Sequence, residues 1–383
     1  MPFSHPTVRY FAIIMQIITH DEKVDSDMQS TTDASPLQRL LKALEPTRRQ
    51  LAQLPWRKYI RWLSVLTTAI MFIVLLQGSL VTNTGSQAGC GASWPLCKGQ
   101  FIPQFALSTA IEFAHRVVVA PATLLIILLT IGVLVFWRQR LEIKILAPAM
   151  IVFLVAQALL GAAAVLWPES AAALALHLGV SLLSFASVML TMFFLYEERS
   201  GREKLRDRRL SRGFLALVWG LLVYCYIVVY IGAFVRHTGS ELACTGWPLC
   251  NGQVIPSFNT AVTIVFTHRV AALVLTLGIG GLFIWARSMR KSRPDLYWGS
   301  LVALLLVVAQ ALEGAFVVYS HLDIFSTIGH SALVSLFFGA MCYLALHTLR
   351  RPRAVRTSSK RVAKTATKST ADVEKQPGAL VAR

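Results

Sequence analysis

Residues 110–137 read AIEFAHRVVVAPATLLIILLTIGVLVFW, and this run decides the fold. Its only charged side chains, Glu112 and Arg116, stand near its start, and the rest is long and apolar enough to cross a hydrocarbon layer of ~30 Å as a helix. A helix is the expected form because backbone amides in lipid must bond within their own segment. The whole chain agrees, since 55% of its 383 residues are hydrophobic and only 15% are charged.

Seven further runs have the same length and character. The eight predicted spans cover approximately 60–81, 110–137, 144–166, 173–195, 214–236, 261–286, 296–319 and 325–348. We therefore predict an all-α integral membrane protein with eight transmembrane helices.

The basic residues between these spans lie almost entirely on one side of the membrane. They cluster in 138–144, 199–212 and 287–293 and in the tail from Arg350. Under the positive-inside rule, both termini are cytoplasmic and the loops between spans one and two and between spans five and six face outward from the cell membrane. The net charge of +18 therefore reflects orientation, with lipid headgroups rather than nucleic acid as the expected partner of the basic tail.

The chain repeats itself over about 130 residues. From Trp94 onward, equivalent residues are 153 positions apart; before it the offset is 154, because the first loop is one residue longer. The pairs are Cys90/Cys244, Trp94/Trp247, Cys97/Cys250, His115/His268, Gln157/Gln310, Gly161/Gly314 and His177/His330. Such regularity indicates duplication of a four-helix unit. We predict two tandem, pseudo-symmetric four-helix bundles.

The predicted boundaries follow from this repeat. The first bundle covers 56–198, a cytoplasmic linker covers 199–213, and the second bundle covers 214–349. A cytoplasmic N-terminal extension, 1–55, and a basic cytoplasmic tail, 350–383, are expected to be disordered.

Four histidines obey the repeat, and each lies about five residues inside the outward end of an even-numbered span. Spans two and four run in the same direction, so His115 and His177 are expected at one depth, about 8 Å below the surface. Two such imidazoles can hold one haem iron from opposite faces, as can His268 and His330. A single histidine could instead be an interfacial polar residue. Four matched histidines favour haem ligands, because tetrahedral zinc would require more ligands at the same level.

Glu112 and Glu313 are the only acidic residues within the predicted spans. Glu112 stands three residues before His115, on the same helix face, so its carboxylate can reach the rim of a bound haem. Its repeat position holds Val265. This asymmetry predicts chemistry in the first half, although an acid in a first helical turn is also favoured by the helix dipole alone.

Two arginines directly follow the ligand candidates of the even spans. Arg116 and Arg269 are candidates to bind haem propionates. They could equally extend to the lipid headgroups.

Two pairs of cysteines stand in the outward loops around Trp-Pro turns. Cys90 with Cys97 and Cys244 with Cys250 are spaced closely enough for each loop to close on itself as a disulfide. Both a structural staple and a redox relay fit this arrangement.

Several strings together resemble the haem A synthase family: NTGSQAGCGASWPLCKG, HTGSELACTGWPLCNG, EFAHR, FTHR, QALLGA and QALEGA. The resemblance runs from about residue 60 to 348. It implies an oxidoreductase that converts the C8 methyl group of haem O to a formyl group and so supplies haem A to terminal oxidases. Haem O synthase and terminal oxidase assembly are the implied partners.

The resemblance also implies residue roles. Glu112 would be catalytic, and His115 and His177 would hold the substrate, haem O, and the product, haem A. His268 and His330 would hold a haem b that passes electrons.

Two features depart from the commonest family pattern. Thr82 replaces an arginine that the second copy keeps as Arg236, and the second loop also carries a cysteine pair. Three rival functions share some of these features: a di-haem b-type electron-transfer cytochrome, a disulfide-generating quinone oxidase and a haem carrier without catalysis.

Overall fold

Eight long helices make up the computed structural model, which describes residues 55–94, 96–166, 171–207 and 209–349. The helices are α1 Trp56–Asn83, α2 Leu107–Trp137, α3 Leu141–Leu166, α4 Ala171–Ser200, α5 Arg212–His237, α6 Thr260–Ser288, α7 Pro294–Tyr319 and α8 Ile324–Thr348. All eight are long and apolar enough to cross a membrane. The predicted all-α, multi-pass class is confirmed. The predicted N-terminal extension, apart from Pro55, and the predicted tail lie outside the described residues.

Each helix begins or ends beyond its predicted span. Hydropathy marks only the part of a helix that suits lipid, whereas the helix itself continues into the polar surface region. The extra turns bring further acids into helices. Glu142 and Asp295 lie in the first turns of α3 and α7, and Glu197 lies near the end of α4.

The helices pack as two rings of four. In the first half α1 packs on α2, α2 on α3, α3 on α4 and α4 on α1, and α5 to α8 repeat this pattern. The rings meet through their first and last helices, because α8 packs on α1 and α4, and α4 packs on α5. Repeat-related aromatic pairs lie in these inner helices, with ring centroids 5.9 Å apart for Phe72 and Phe185 and 5.6 Å apart for Tyr226 and Phe338.

Two loops define one end of the molecule. The first Cys loop, 84–106, joins α1 to α2, and the second Cys loop, 238–259, joins α5 to α6. Because α1 and α5 are both the first helices of their rings, the two loops lie at the same end of the molecule.

A cluster of buried ionisable side chains lies at the opposite end. Its members, which we call the buried charge cluster, are Glu142, Glu197, Arg206, Arg293, Asp295 and His347. The His347 ring nitrogens lie 2.9 Å from Asp295 Oδ2 and 3.1 Å from Glu197 Oε1, and Arg206 lies 3.1 Å from Glu142. Buried charges persist only when they are paired. The cluster therefore ties α3 and α4 of the first half to α7 and α8 of the second.

Candidate functional site

A cavity of about 1270 Å³ runs through both halves of the molecule. It is larger than the ~300–1,000 Å³ of an ordinary small-molecule pocket. His115, His177, His268 and His330 all line it, from α2, α4, α6 and α8 in turn. The structure thus brings the four predicted histidines to one continuous space.

Within each half the two histidines are neighbours. His115 lies close to His177, and His268 lies close to His330. This pairing within halves is the arrangement that two ligands of one iron require. Across the described ranges, no three His, Cys, Asp or Glu side chains converge as a tetrahedral zinc site would need.

Each histidine packs against a glycine of the preceding helix. A Cβ atom added to Gly78, Gly161, Gly232 or Gly314 would lie 3.5, 3.2, 2.8 or 3.3 Å from Cε1 of His115, His177, His268 or His330, respectively. The absent side chains let each imidazole lie directly on the backbone of the neighbouring helix. The glycines therefore fix where each ring stands in the cavity.

Sequence reasoning found only half of this arrangement. Gly161 and Gly314 served as landmarks of the repeat, without a role. Gly78 and Gly232 were overlooked, although both occur at matching positions in odd-numbered spans. A glycine that recurs at the repeat distance inside a span was the available signal.

The ring nitrogens of the histidines are incompletely satisfied. Nδ1 of all four is buried and has no hydrogen-bond partner among the described residues. At Nε2 of His330 the Gln310 amide nitrogen lies 3.0 Å away, and the backbones of Gln157 and Val228 lie within hydrogen-bond reach of the His177 and His268 rings. Buried polar groups are ordinarily bonded, so these imidazoles fit a ligand that the chain does not supply. Haem fits this site, because its iron takes imidazole nitrogens and its flat ring suits a bundle cavity.

Glu112 lines the cavity with only 3% of its surface exposed. Its Oε2 accepts a hydrogen bond of 2.7 Å from the backbone N–H of Cys90, and its Oε1 forms an ion pair with Arg116 on the next turn. The carboxylate is therefore fixed between helix α2 and the first Cys loop. In the second half Val265 occupies this place and is buried without any charge.

Arg116 and Arg269 contact the Cys loops. Arg116 Nη1 donates to the carbonyls of Ser93 and Leu96, both at 2.9 Å. Arg269 donates to three carbonyls of the second loop, at 2.6 Å to Gly246, 3.1 Å to Leu249 and 2.9 Å to Cys244. Both side chains also line the cavity. Their contacts within the chain serve to hold the loops, and propionate binding by them stays a prediction.

The Cys loops have matching internal structures. Disulfides join Cys90 to Cys97 and Cys244 to Cys250, and all four residues are at most 1% exposed. Each second cysteine also forms an isolated β-bridge three residues on, with Gln100 in the first loop and with its counterpart in the second. The predicted pairs therefore close their loops at the mouth of the cavity, beside the arginines that hold them.

Comparison with known proteins places these features in a family. The family described as cytochrome oxidase assembly protein matches residues 61–342, with a second match over 258–370. Heme A synthase of Bacillus cereus (strain 03BB102) is 39% identical over 294 residues, covering 76% of this chain and 93% of that protein. Heme A synthase of Bacillus licheniformis is 40% identical over 304 residues, covering 78% of this chain and 99% of that protein. Nearly the full length of each relative is represented here.

Proposed function

This chain belongs to the cytochrome oxidase assembly protein family, and we propose that it works as a haem A synthase. The reaction is the oxidation of the C8 methyl group of haem O to a formyl group. The observation that carries the proposal is the single cavity lined by two repeat-related histidine pairs. Haem O synthase would supply the substrate, and the assembly of terminal oxidases would consume the product.

The two halves divide the work in this proposal. His115 and His177 bind and orient haem O, whereas His268 and His330 hold a resident haem b. The glycine facing each imidazole and the unpartnered Nδ1 atoms support both assignments. Bound haem supplies the oxidising power that an unactivated methyl group requires.

Glu112 is the residue to which we assign catalysis. It presents a fixed negative charge to the first-half cavity, where Arg116 and the Cys90 N–H hold it in place. A preoriented charge beside a reacting edge stabilises positive charge that develops there without reorganising. The same carboxylate can accept a hydrogen bond from water and direct that water to the methyl carbon. Val265 offers neither contribution in the second half.

We further propose that both Cys loops face outward from the cell membrane and that both termini are cytoplasmic. Basic segments at the end opposite the Cys loops support this orientation, as does the need of disulfides for an oxidising compartment. Reporters fused after Arg140, Ser211 or Ser292 should behave as cytoplasmic. Reporters within 86–104 or 240–256 should behave as external, and a cytoplasmic signal from either would overturn the orientation.

The decisive experiment is haem analysis of cells that make this chain with or without haem O synthase. Extracted haems are identified by mass. Haem A should appear only when both proteins are present. His177→Ala should stop its formation, whereas the control His321→Asn, in the loop between α7 and α8, should not. Folded protein that carries haem in both halves but leaves haem O unconverted would favour the electron-transfer cytochrome instead.

A further inference from the structure

Arg236 is a third arginine at the cavity, and the proposed reaction gives it no role. It lies on α5 four residues after Gly232, the glycine against which His268 packs. Residues four apart share a helix face, one above the other, with about 5.4 Å of rise per turn. Both residues line the cavity. Arg236 thus stands about one turn nearer the Cys-loop end than the backbone that supports His268.

The contacts of Arg236 leave part of its guanidinium unsatisfied. Nη1 forms an ion pair with Glu241, and Nη2 donates to the backbone carbonyl of Thr82 at 3.2 Å. Nε is buried and has no acceptor within the part of the chain that the structure describes. A buried guanidinium N–H without an acceptor marks a place where a carboxylate oxygen would be bound.

The balance of charge around the cavity favours an anion in the second half. The charged side chains that line the cavity are Arg236, Arg269 and Glu241 in the second half, and Arg116 and Glu112 in the first. The second-half lining therefore has a formal excess of one positive charge, whereas the first-half lining has none. A haem carries two propionates, so the second half suits its acidic edge better.

The repeat position of Arg236 strengthens the contrast. In the first half Thr82 stands four residues after Gly78, the glycine that faces His115. Its side chain has no charge, its hydroxyl donates to the carbonyl of Gly78, and its own carbonyl accepts from Arg236. The first half supplies no cation of its own at this place.

We propose that Arg236 binds a propionate of the haem held by His268 and His330, and that Thr82 leaves the first-half haem without this anchor. The inference rests on the proposed function, since it requires haem in both halves. A resident haem needs to be retained through many turnovers, whereas a substrate has to leave as product. With Arg236 the second half retains its haem, and with Thr82 the first half can release its haem as product.

The test measures the release of haem rather than catalysis. Purified protein with haem bound is mixed with excess apomyoglobin, and haem transfer is followed by absorbance. Arg236→Thr, which copies the first half, should speed release of the second-half haem by at least about tenfold, the size expected for a charged hydrogen bond. It should also lower the midpoint potential of that haem, because a nearby positive charge favours the reduced iron. The control is Arg287→Thr, at an exposed position of α6 at the end away from the Cys loops. It should change neither the release rate nor the midpoint potential.

A second pair of variants separates propionate binding from support of the fold. Arg236→Gln keeps N–H donors for the Thr82 carbonyl but removes the charge, so it should still speed release and lower the potential. Glu241→Gln frees the guanidinium from its partner and should slow release. Normal release rates and potentials in Arg236→Thr and Arg236→Gln would overturn the inference. Wild-type protein without any second-half haem would instead overturn the proposed function.

Discussion

The two halves of the molecule have the same histidines at equivalent positions but differ in a few other side chains that line the cavity. Both have a histidine pair, a glycine opposite each imidazole and a disulfide-closed loop. Two positions lining the cavity differ: Glu112 of the first half corresponds to Val265 in the second, and Thr82 corresponds to Arg236. The comparison teaches that a duplicated scaffold can keep the residues proposed to hold a cofactor while a few side chains around the cavity differ between its copies.

One of these changes alters how a loop is held. Arg116 Nη2 pairs with Glu112, whereas Nη2 of the equivalent Arg269 donates to the Cys244 carbonyl. The acid therefore takes the place of a backbone acceptor. The acid to which we assign catalysis is thus accommodated while Arg116 still donates hydrogen bonds to the loop carbonyls.

The largest effect should come from removing a ligand in one half only. His268→Ala or His330→Ala should eliminate the low-spin b-type absorbance, because in the proposed function both imidazoles would bind the iron of the haem b. The matched variant His115→Ala should keep that absorbance and lose binding of haem O. Absorbance spectra of the purified variants check both outcomes. Unchanged spectra in both second-half variants would remove the ligand assignment.

The second largest effect should come from removing Glu112, the acid that the second half lacks. Glu112→Ala should lower haem A formation by about 100-fold or more, as for other preoriented electrostatic groups, while haem stays bound in both halves. Glu112→Gln keeps an acceptor for the Cys90 N–H and should be nearly as severe if the charge matters. Haem A per folded molecule, measured by extraction, is the readout.

The matched control for Glu112 is Val265→Ala at the same place in the second half. It should leave haem A formation close to normal. Normal turnover in Glu112→Ala would contradict the proposal that the first half is catalytic and the second half holds an electron-transferring haem.

Opening the loops should give a smaller effect that differs between halves. Cys244→Ser with Cys250→Ser should cost about 2 kcal/mol of stability, the expected value for closing so short a loop, and keep turnover per folded molecule. Cys90→Ser with Cys97→Ser should also reduce turnover, because the Cys90 N–H holds Glu112. Thermal unfolding and haem A yield are measured together. Full loss of turnover in both variants would favour a redox relay.

The smallest difference should appear at the glycines. An added Cβ would stand 2.8 Å from His268 at Gly232 but 3.5 Å from His115 at Gly78. Gly232→Ala should therefore destabilise the second-half haem site by about 1 kcal/mol, the low end of overpacking costs, and Gly78→Ala should be nearly silent. Haem occupancy after purification reports both. An equal loss in the two halves would mean that the distance between the added Cβ and the imidazole does not determine the cost.

Much of the fold was predictable because lipid restricts what a chain can do. Apolar runs long enough to cross can only be helices here, and the histidines and cysteines repeat 153 or 154 residues apart. The extra turns that include Glu142 and Asp295 were missed, since hydropathy follows the lipid and not the hydrogen bonds that extend a helix.

The partners of polar side chains were the least predictable part of the site. A sequence shows that Arg116 and Arg269 follow the ligand candidates but not that loop carbonyls lie within their reach. Arg206 looked like one more basic residue of a linker, yet it is 2% exposed and pairs with Glu142. Such contacts join groups that are far apart in the sequence and meet only in the tertiary fold. They therefore leave no pattern in the sequence.

The buried charge cluster has a consequence for how the protein is made. Glu142 and Glu197 are synthesised long before His347, which is on α8. Until α8 enters the bilayer, Glu197 lacks both the His347 ring and the Tyr343 hydroxyl that lies 2.9 Å from it. Arg206, whose Nη2 lies 3.9 Å from Glu197, would then be the partner that remains, so this buried carboxylate has fewer compensating contacts before α8 is in place. Arrival of α8 therefore completes the pairing of this cluster, and a nascent chain truncated before α8 would differ from the finished protein by a buried acid that has lost two of its partners.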